Sequence, residues 1–342
     1  VETNFESPYG YACYVRWVDV DEMTASIFRK WRARGFPHFD LTPQERLDEF
    51  AALLAYPRDS IVSGGVVKQT MHALALAWHY HPHHWSIRAG SMLCPMDVWE
   101  DDALLERAIR KRLKRGGYFF DDGDGVDFTP ASMRKGLSTF SGVQRVSNFR
   151  PTAAAAIYDR FADGAVWDMS CGFGGRLLGA LASSRVSRYY GCEPASVTMS
   201  GLRSMCGDLA HLTSTTVLLH ECGSEDFVTP EPVSLCFTSP PYFNTERYSD
   251  EGSQSWVRYP SVAAWNDGFL RRTIQNCRLS LLPTGKMVIN IANVRSHPCL
   301  EADTVRIAEE EGFVLVETLR LALSHVSNGG FKFEPVFVFA LR

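Results

Sequence analysis

The stretch VSLCFTSPPYF, Val233 to Phe243, runs from an apolar strand pattern straight into Ser239-Pro240-Pro241-Tyr242. Neither proline can donate a ladder hydrogen bond, so the strand must end there. A residue that precedes proline is pushed to extended geometry, which holds Ser239 and the Pro240 carbonyl stiffly at the tip. Two acceptors beside an aromatic ring suit the gripping of a planar amine. The plainer reading is a rigid strand exit.

Three earlier strand ends carry ligand-type groups as well. DMSCGFGGR, Asp168 to Arg176, leaves a first strand, and Gly172, Gly174 and Gly175 let the backbone pass close to a ligand before a helix opens. As a dinucleotide fingerprint the loop is imperfect, because no third glycine falls at the required spacing. A second strand ends in Glu193, about 20 residues beyond the loop and placed for ribose hydroxyls. After a third comes CGSEDF, which puts Glu225 or Asp226 within reach of an adenine amine. Four consecutive tips of this kind outweigh any one of them.

The elements that must position these tips follow from periodicity. Near-continuous apolar runs at 165–171, 188–194, 215–221, 233–239, 286–294, 313–321 and 335–341 alternate with helical stretches. That alternation predicts a parallel, doubly wound sheet with ligands at the carboxyl ends of its strands. Only SHVSNGGFKFE separates the last two runs, which predicts an antiparallel hairpin.

With these residues in place, the chain resembles the S-adenosylmethionine-dependent amino-methyltransferases that modify exocyclic nitrogens of nucleic-acid bases. The glycine-loop strand looks like their first motif, and Ser239-Pro240-Pro241-Tyr242 looks like their [DNS]-P-P-[YFW] motif. VSNFRPTAAAAIYDRF, residues 146–161, sits where they place the helix that closes over the methionine end of the cofactor. The resemblance covers residues 141–342. It implies an α/β, Rossmann-like fold with S-adenosyl-L-methionine lying over Asp168, Ser170, Cys171, Gly172, Gly174 and Gly175. Asn148, Phe149, Arg150 and Thr152 would close over it, with Glu193, Pro194, Glu225 and Asp226 at its nucleoside end. A serine at the first motif position is more typical of members acting on cytosine N4, an aspartate of those acting on adenine N6.

The implied chemistry accounts for the residue types. A base amine conjugated into its ring is a weak nucleophile, and hydrogen bonds to Ser239 and the Pro240 carbonyl would localise its lone pair and aim it. Tyr242 or Phe243 would stack on a base flipped from the duplex at a cost of roughly a few kcal/mol. Cytosine C5 chemistry would need a Pro-Cys pair at this tip, whereas Cys236 lies upstream within the strand.

Beyond the motif, residues 243–260 form a long polar and aromatic stretch, expected to hang over the site as a binding loop. Arg247, Trp256 and Arg258 offer phosphate and base-edge chemistry there. Residues 101–117 read as an amphipathic helix whose later half carries Arg110, Lys111, Lys114 and Arg115. These cations form either a phosphate-tracking face or a complement to the helix dipole. His79, His81, His83 and His84 stand close enough to raise a metal site, but Pro82 interrupts them and no acidic or cysteine partner is near in sequence. Packing or base stacking is the better reading, and no metal is expected.

At 342 residues with 45% hydrophobic content the chain supports two domains. A net charge of -4 neither favours nor excludes nucleic acid, since binding depends on a local basic face. No apolar run approaches the ~20 residues of a membrane span. The opening VETNFESPYG lacks a secretory pattern, and nine cysteines without a C-x-x-C pair point to reduced thiols in the cytoplasm. The expected organisation is a mainly helical accessory domain over residues 1–140, which by elimination reads the target, and a methyltransferase domain over 141–342. The expected activity is methylation of a base amine in DNA. RNA guanine N2 methylation, or an inactive fold used as a binding module, are the alternatives.

Overall fold

The computed structural model describes residues 19–116, 119–121, 125–140, 142–326 and 330–342. The expectations for the first residues and for Cys13 lie outside these. The chain divides into two compact units: one takes the part up to Pro37 with Met92–Gln144, the other His38–Ser91 with Arg145–Arg342. The boundary expected at residue 140 thus falls four residues later. Residues 38–91, assigned by sequence to the accessory part, belong to the sheet-containing unit. The physical reason is a short hairpin, Val62–Ser63 with Val66–Val67, whose second strand pairs with the sheet at Arg320 and Leu321.

The smaller unit is mainly helical, as expected. Helices α1 (Val20–Arg34), α2 (Asp102–Lys114) and α3 (Pro130–Ser138) enclose a core of Ile27, Trp31, Trp99, Leu105, Ile109, Phe128, Met133 and Leu137. Asp101 caps α2 through the Leu104 amide, and Thr129 caps α3 through that of Ser132.

The larger unit is an α/β sheet. Its strands are β1 (Gly164–Asp168), β2 (Val186–Cys192), β3 (Thr216–His220), β4 (Val233–Thr238), β5 (Leu281–Asn290), β6 (Phe313–Val326) and β7 (Gly330–Leu341). Their order across the sheet is β3-β2-β1-β4-β5-β7-β6, with the short hairpin beyond β6. All pairs from β3 to β5 are parallel, and β7 runs antiparallel between β5 and β6. All seven expected strands are present, with ends shifted by up to several residues. The last two are longer than the sequence indicated, so much of the expected loop is paired strand.

Every residue of β4 is buried, because the strand is covered on both faces. Leu235 and Phe237 join the face covered by α4 (Pro151–Phe161), α5 (Gly175–Ala182) and α6 (Ser196–Leu209). Val233 and Cys236 join the opposite face, covered by helices within 262–280 and 300–310. Apolar burial of this kind is worth about 25 cal/mol per Å² removed from water. The chain order reverses between β1 and β4, and that switch sets the tip of β1 beside the tip of β4.

Candidate active site

Asp168 ends β1 with its side chain fully buried. It accepts from Arg176 Nε at 2.9 Å, Tyr189 Oη at 2.7 Å and the Ser170 amide at 3.2 Å. Both oxygens are engaged, so this residue, expected to touch cofactor, fastens the glycine loop from beneath. Removing one partner of such a buried pair costs about 3–5 kcal/mol, which is the scale of the fastening. The remaining loop residues divide the work. Cys171 is buried, its amide bonded to the Cys192 carbonyl at 2.8 Å and its Sγ lying 3.4 Å from Tyr189 Oη. Gly172 takes φ +53, and a Cβ built there would meet only Ser170 O, at 4.0 Å. The loop is therefore bare on that side.

Gly175 is needed for a different reason: an added Cβ would sit 1.9 Å from the Phe149 carbonyl. The absent side chain lets the 148–150 segment lie directly on the loop, where Asn148 Nδ2 donates to Phe173 O at 3.2 Å. Arg150 is half-buried, and burial lowers its pKa. It donates to the Asn148 carbonyl at 3.1 Å, and among the described residues no carboxylate lies within ion-pair distance. Thr152 is fully buried against Thr70, 2.9 Å between hydroxyls, and so serves packing.

At the tip of β2, Glu193 accepts from the Gly172 amide at 3.0 Å and the Ala195 amide at 2.9 Å. Burial pushes its pKa up to about 7, against the lowering effect of those two amides. At the tip of β3, Glu225 is buried. One of its oxygens accepts from Arg258 at 2.7 Å, and the other is buried with no partner among the described residues. Arg258 also pairs with Asp226 at 2.5 Å, so its expected role against nucleic acid is replaced by one within the site.

Residues 243–260 do not hang free. Glu246 and Arg247 pair as a strand with Ala89 and Arg88. Glu251 accepts from the Ser196 amide and hydroxyl at the start of α6, and Ser253 Oγ donates to Pro194 O at 3.0 Å. Tyr248 packs edge-on to Phe173 of the glycine loop. The segment is a strap across the strand tips. Trp256 lies within it under the Arg247 guanidinium, 4.8 Å from ring centroid to carbon.

The S-P-P-Y tip stands beside this arrangement. Ser239 and Tyr242 are half-buried and Pro240 is buried. Tyr242 Oη donates to Glu334 of β7 at 3.2 Å, and Ser239 Oγ to Asn290 of β5 at 3.3 Å. Burial raises the pKa of both Tyr242 and Glu334. Phe243, expected to stack on a base, is instead 5% exposed and packed edge-on against Trp265. Its φ of +56 is a strained conformation for a bulky residue, of the kind that clusters at functional sites. The sequence missed Asn290, Glu334 and the strap's anchor Glu251. Asn290 carried a usable signal, a polar residue closing an apolar strand next to the switch point. Glu334 carried none.

The histidines lie behind the loop. Rings of His81, His83 and His84 pack around Phe173 at 5.6, 5.8 and 6.4 Å between centroids. Burial lowers His81 and His83 to about 4 and His84 to about 2, so all three stay neutral at pH 7. Among the described residues no group of three or more His, Cys, Asp or Glu is arranged to hold a metal ion.

In the smaller unit, α2 and α3 border a cleft of about 260 Å³ lined by Lys111, Arg112, Arg115, Lys135 and Thr139. Among the described residues, no carboxylate pairs with these four cations. Arg110, expected among the phosphate contacts, is bound to Asp21 at 2.9 Å. Lys114 is exposed and lies outside the cleft. No helix among the described residues is long and apolar enough to cross a membrane.

No protein-family model matches the chain, and no curated protein matches it. Solved structures it is similar to include TrmN from Thermus thermophilus, at 14% identity over 56% of this chain and 49% of that one, TM-score 0.37. The chain thus spans about half of that protein's length. An S-adenosylmethionine-dependent methyltransferase from Clostridium acetobutylicum is 8% identical over 54% of this chain and 87% of that one, TM-score 0.38. The glycopeptide N-methyltransferase MtfA, complexed with sinefungin, is 13% identical over 58% and 88%, TM-score 0.40. Scores of this size leave the chemistry of the site to its own geometry.

The raised pKa of Glu193 gives a direct test of the site's electrostatics. The folded chain holds a proton that the unfolded chain releases, so stability is fully present below the ordinary carboxylate range and falls as pH rises towards about 7. Urea melts across that range should show a smaller decline for Glu193→Gln than for the wild type. Equal slopes would place the Glu193 pKa back in the ordinary range.

Proposed function

We propose that this chain is an S-adenosylmethionine-dependent methyltransferase acting on an exocyclic base amine of DNA, with cytosine N4 favoured over adenine N6. One observation carries the reading: the Ser239-Pro240-Pro241-Tyr242 tip stands across the switch point from a bare, firmly held glycine loop. The residues around that loop fit the cofactor. Gly172 leaves room; among the described residues the second oxygen of Glu225 is a buried acceptor without a donor, and Arg150 is a half-buried cation with no carboxylate at ion-pair distance.

Glu193 would accept the ribose hydroxyls, Glu225 the adenine amine, and Arg150 would face the methionine carboxylate. When bound, S-adenosylmethionine supplies an electrophilic methyl group. The protein's part is then to hold and aim the nucleophile. Ser239 Oγ and the Pro240 carbonyl accept the two amine hydrogens, which localises the nitrogen lone pair along the line of attack. Tyr242, anchored through its hydroxyl to Glu334, supplies the aromatic surface for the flipped base. As the methyl group passed to nitrogen and the cofactor left as its thioether, the Ser239 and Pro240 acceptors would hold the amine in line, and one amine proton would be lost to solvent.

Incubation with isotopically labelled S-adenosylmethionine and genomic DNA, followed by digestion and mass spectrometry, should yield labelled N4-methylcytosine. 5-Methylcytosine would refute the mechanism. Glu334 gives a specific reason to run tRNA in parallel, since a carboxylate suits guanine, whose N1 and N2 both donate. Labelled N2-methylguanine from that arm would replace DNA by RNA as substrate.

The smaller unit's cleft would then track phosphates. Neutralising Lys111, Arg115 and Lys135 together should flatten the salt dependence of duplex binding by about 0.9 per lost contact, with cofactor affinity unchanged. A slope equal to the wild type's would leave the cleft as an ordinary solvated face.

A further inference from the structure

Asn290 closes β5 and is only 2% exposed. Ile289 pairs with Thr238, which brings Asn290 level with Ser239 on the neighbouring strand. Its Nδ2 donates to the Pro335 carbonyl at 3.0 Å. A carbonyl only accepts, so this bond fixes which end of the carboxamide is which. The oxygen end is thereby turned to the S-P-P-Y tip. There it accepts from Ser239 Oγ at 3.3 Å and lies 3.5 Å from Tyr242 Oη.

A serine hydroxyl has one proton and two lone pairs. With its proton committed to Asn290, Ser239 has only acceptor capacity left for a ligand. A freely rotating hydroxyl would have a second option: to donate to the amine nitrogen and tie up the electrons that must attack. We propose, on the basis of the amine-methylation reading above, that Asn290 is a positioning residue that makes Ser239 an obligate acceptor for the substrate N–H. The serine then works as the acceptor-only carboxylate of the adenine-type motif would, without bringing a charge into the tip. The competing role is a brace: Asn290 pairs with Val336 in the ladder and satisfies the Pro335 carbonyl, which would hold β7 against β5 whatever Ser239 does.

A double-mutant cycle separates the two roles. Single-turnover methyl transfer is measured for the wild type, Ser239→Ala, Asn290→Ala and the double variant. Nucleic-acid and S-adenosylhomocysteine affinities and melting temperature are measured alongside. Asn290→Ala should slow transfer by about tenfold, the scale of one hydrogen bond, with both affinities held. In the Ser239→Ala background the same change should cost less than about twofold, because the hydroxyl it orients is gone. Asn290→Asp keeps the acceptor and loses the donor to Pro335, so it should recover most of the rate while melting lower. Equal fractional losses in both backgrounds, or an aspartate variant as slow as the alanine, would overturn the assignment and leave the brace. A wild-type protein that methylates no base amine would overturn the methylation reading itself, and this role with it.

Discussion

The site rests on a single buried carboxylate and on what it holds. Asp168 takes buried bonds from Arg176 at the start of α5 and from Tyr189 on β2, and a part-buried one from the Ser170 amide. The three donors come from the loop, the helix that follows it and the neighbouring strand. Their convergence fixes where the glycine loop leaves the sheet. A charge in that setting is costly unless fully paired, so the loop has one arrangement rather than several. Gly175 then sets how closely residues 148–150 approach, and the histidine rings support Phe173 from behind. A site that must aim one atom at another needs this rigidity.

Much of the fold was legible because burial on both faces gives strands a near-continuous apolar signature. Val233 to Phe237 and Met287 to Ile291 could hardly be anything else. The parallel, doubly wound class of the sheet followed from alternation, whereas the order of its strands did not. The division into units was not legible, since the hairpin at 62–67 is too short to have a period and joins the sheet only at Arg320 and Leu321. At the site, the tips of β1 to β4 were readable because strand ends and ligand-type residues coincide. Roles within the tips were not. Asp168 and Glu193 look alike in sequence, yet one is consumed by Arg176 and Tyr189 while the other keeps acceptor capacity beside the bare Gly172. Phe243 looked like an exposed aromatic, and only its left-handed backbone turns it into the core.

The strap formed by residues 243–260 gives the site a second layer. Besides its strand pairing with Arg88 and Ala89 and the packing of Tyr248, it has polar anchors: Glu251 on Ser196, Ser253 on Pro194, Arg258 on Glu225 and Asp226. The Arg258–Asp226 pair, partly exposed on both sides, is worth at most about 1 kcal/mol. Arg258 engages one oxygen of Glu225, the acid expected to read adenine, and leaves the other as an acceptor for a ligand.

The most direct measurement is a crystal structure with sinefungin and an oligonucleotide carrying the target base. The expected result has the ribose hydroxyls on Glu193 and the base amine between Ser239 Oγ and Pro240 O. Its nitrogen should lie about 3–3.5 Å from the position of the transferable group, in line with it. A ligand bound away from the glycine loop, or a base amine that touches neither Ser239 nor Pro240, would contradict the assignment of this tip as the site of methyl transfer.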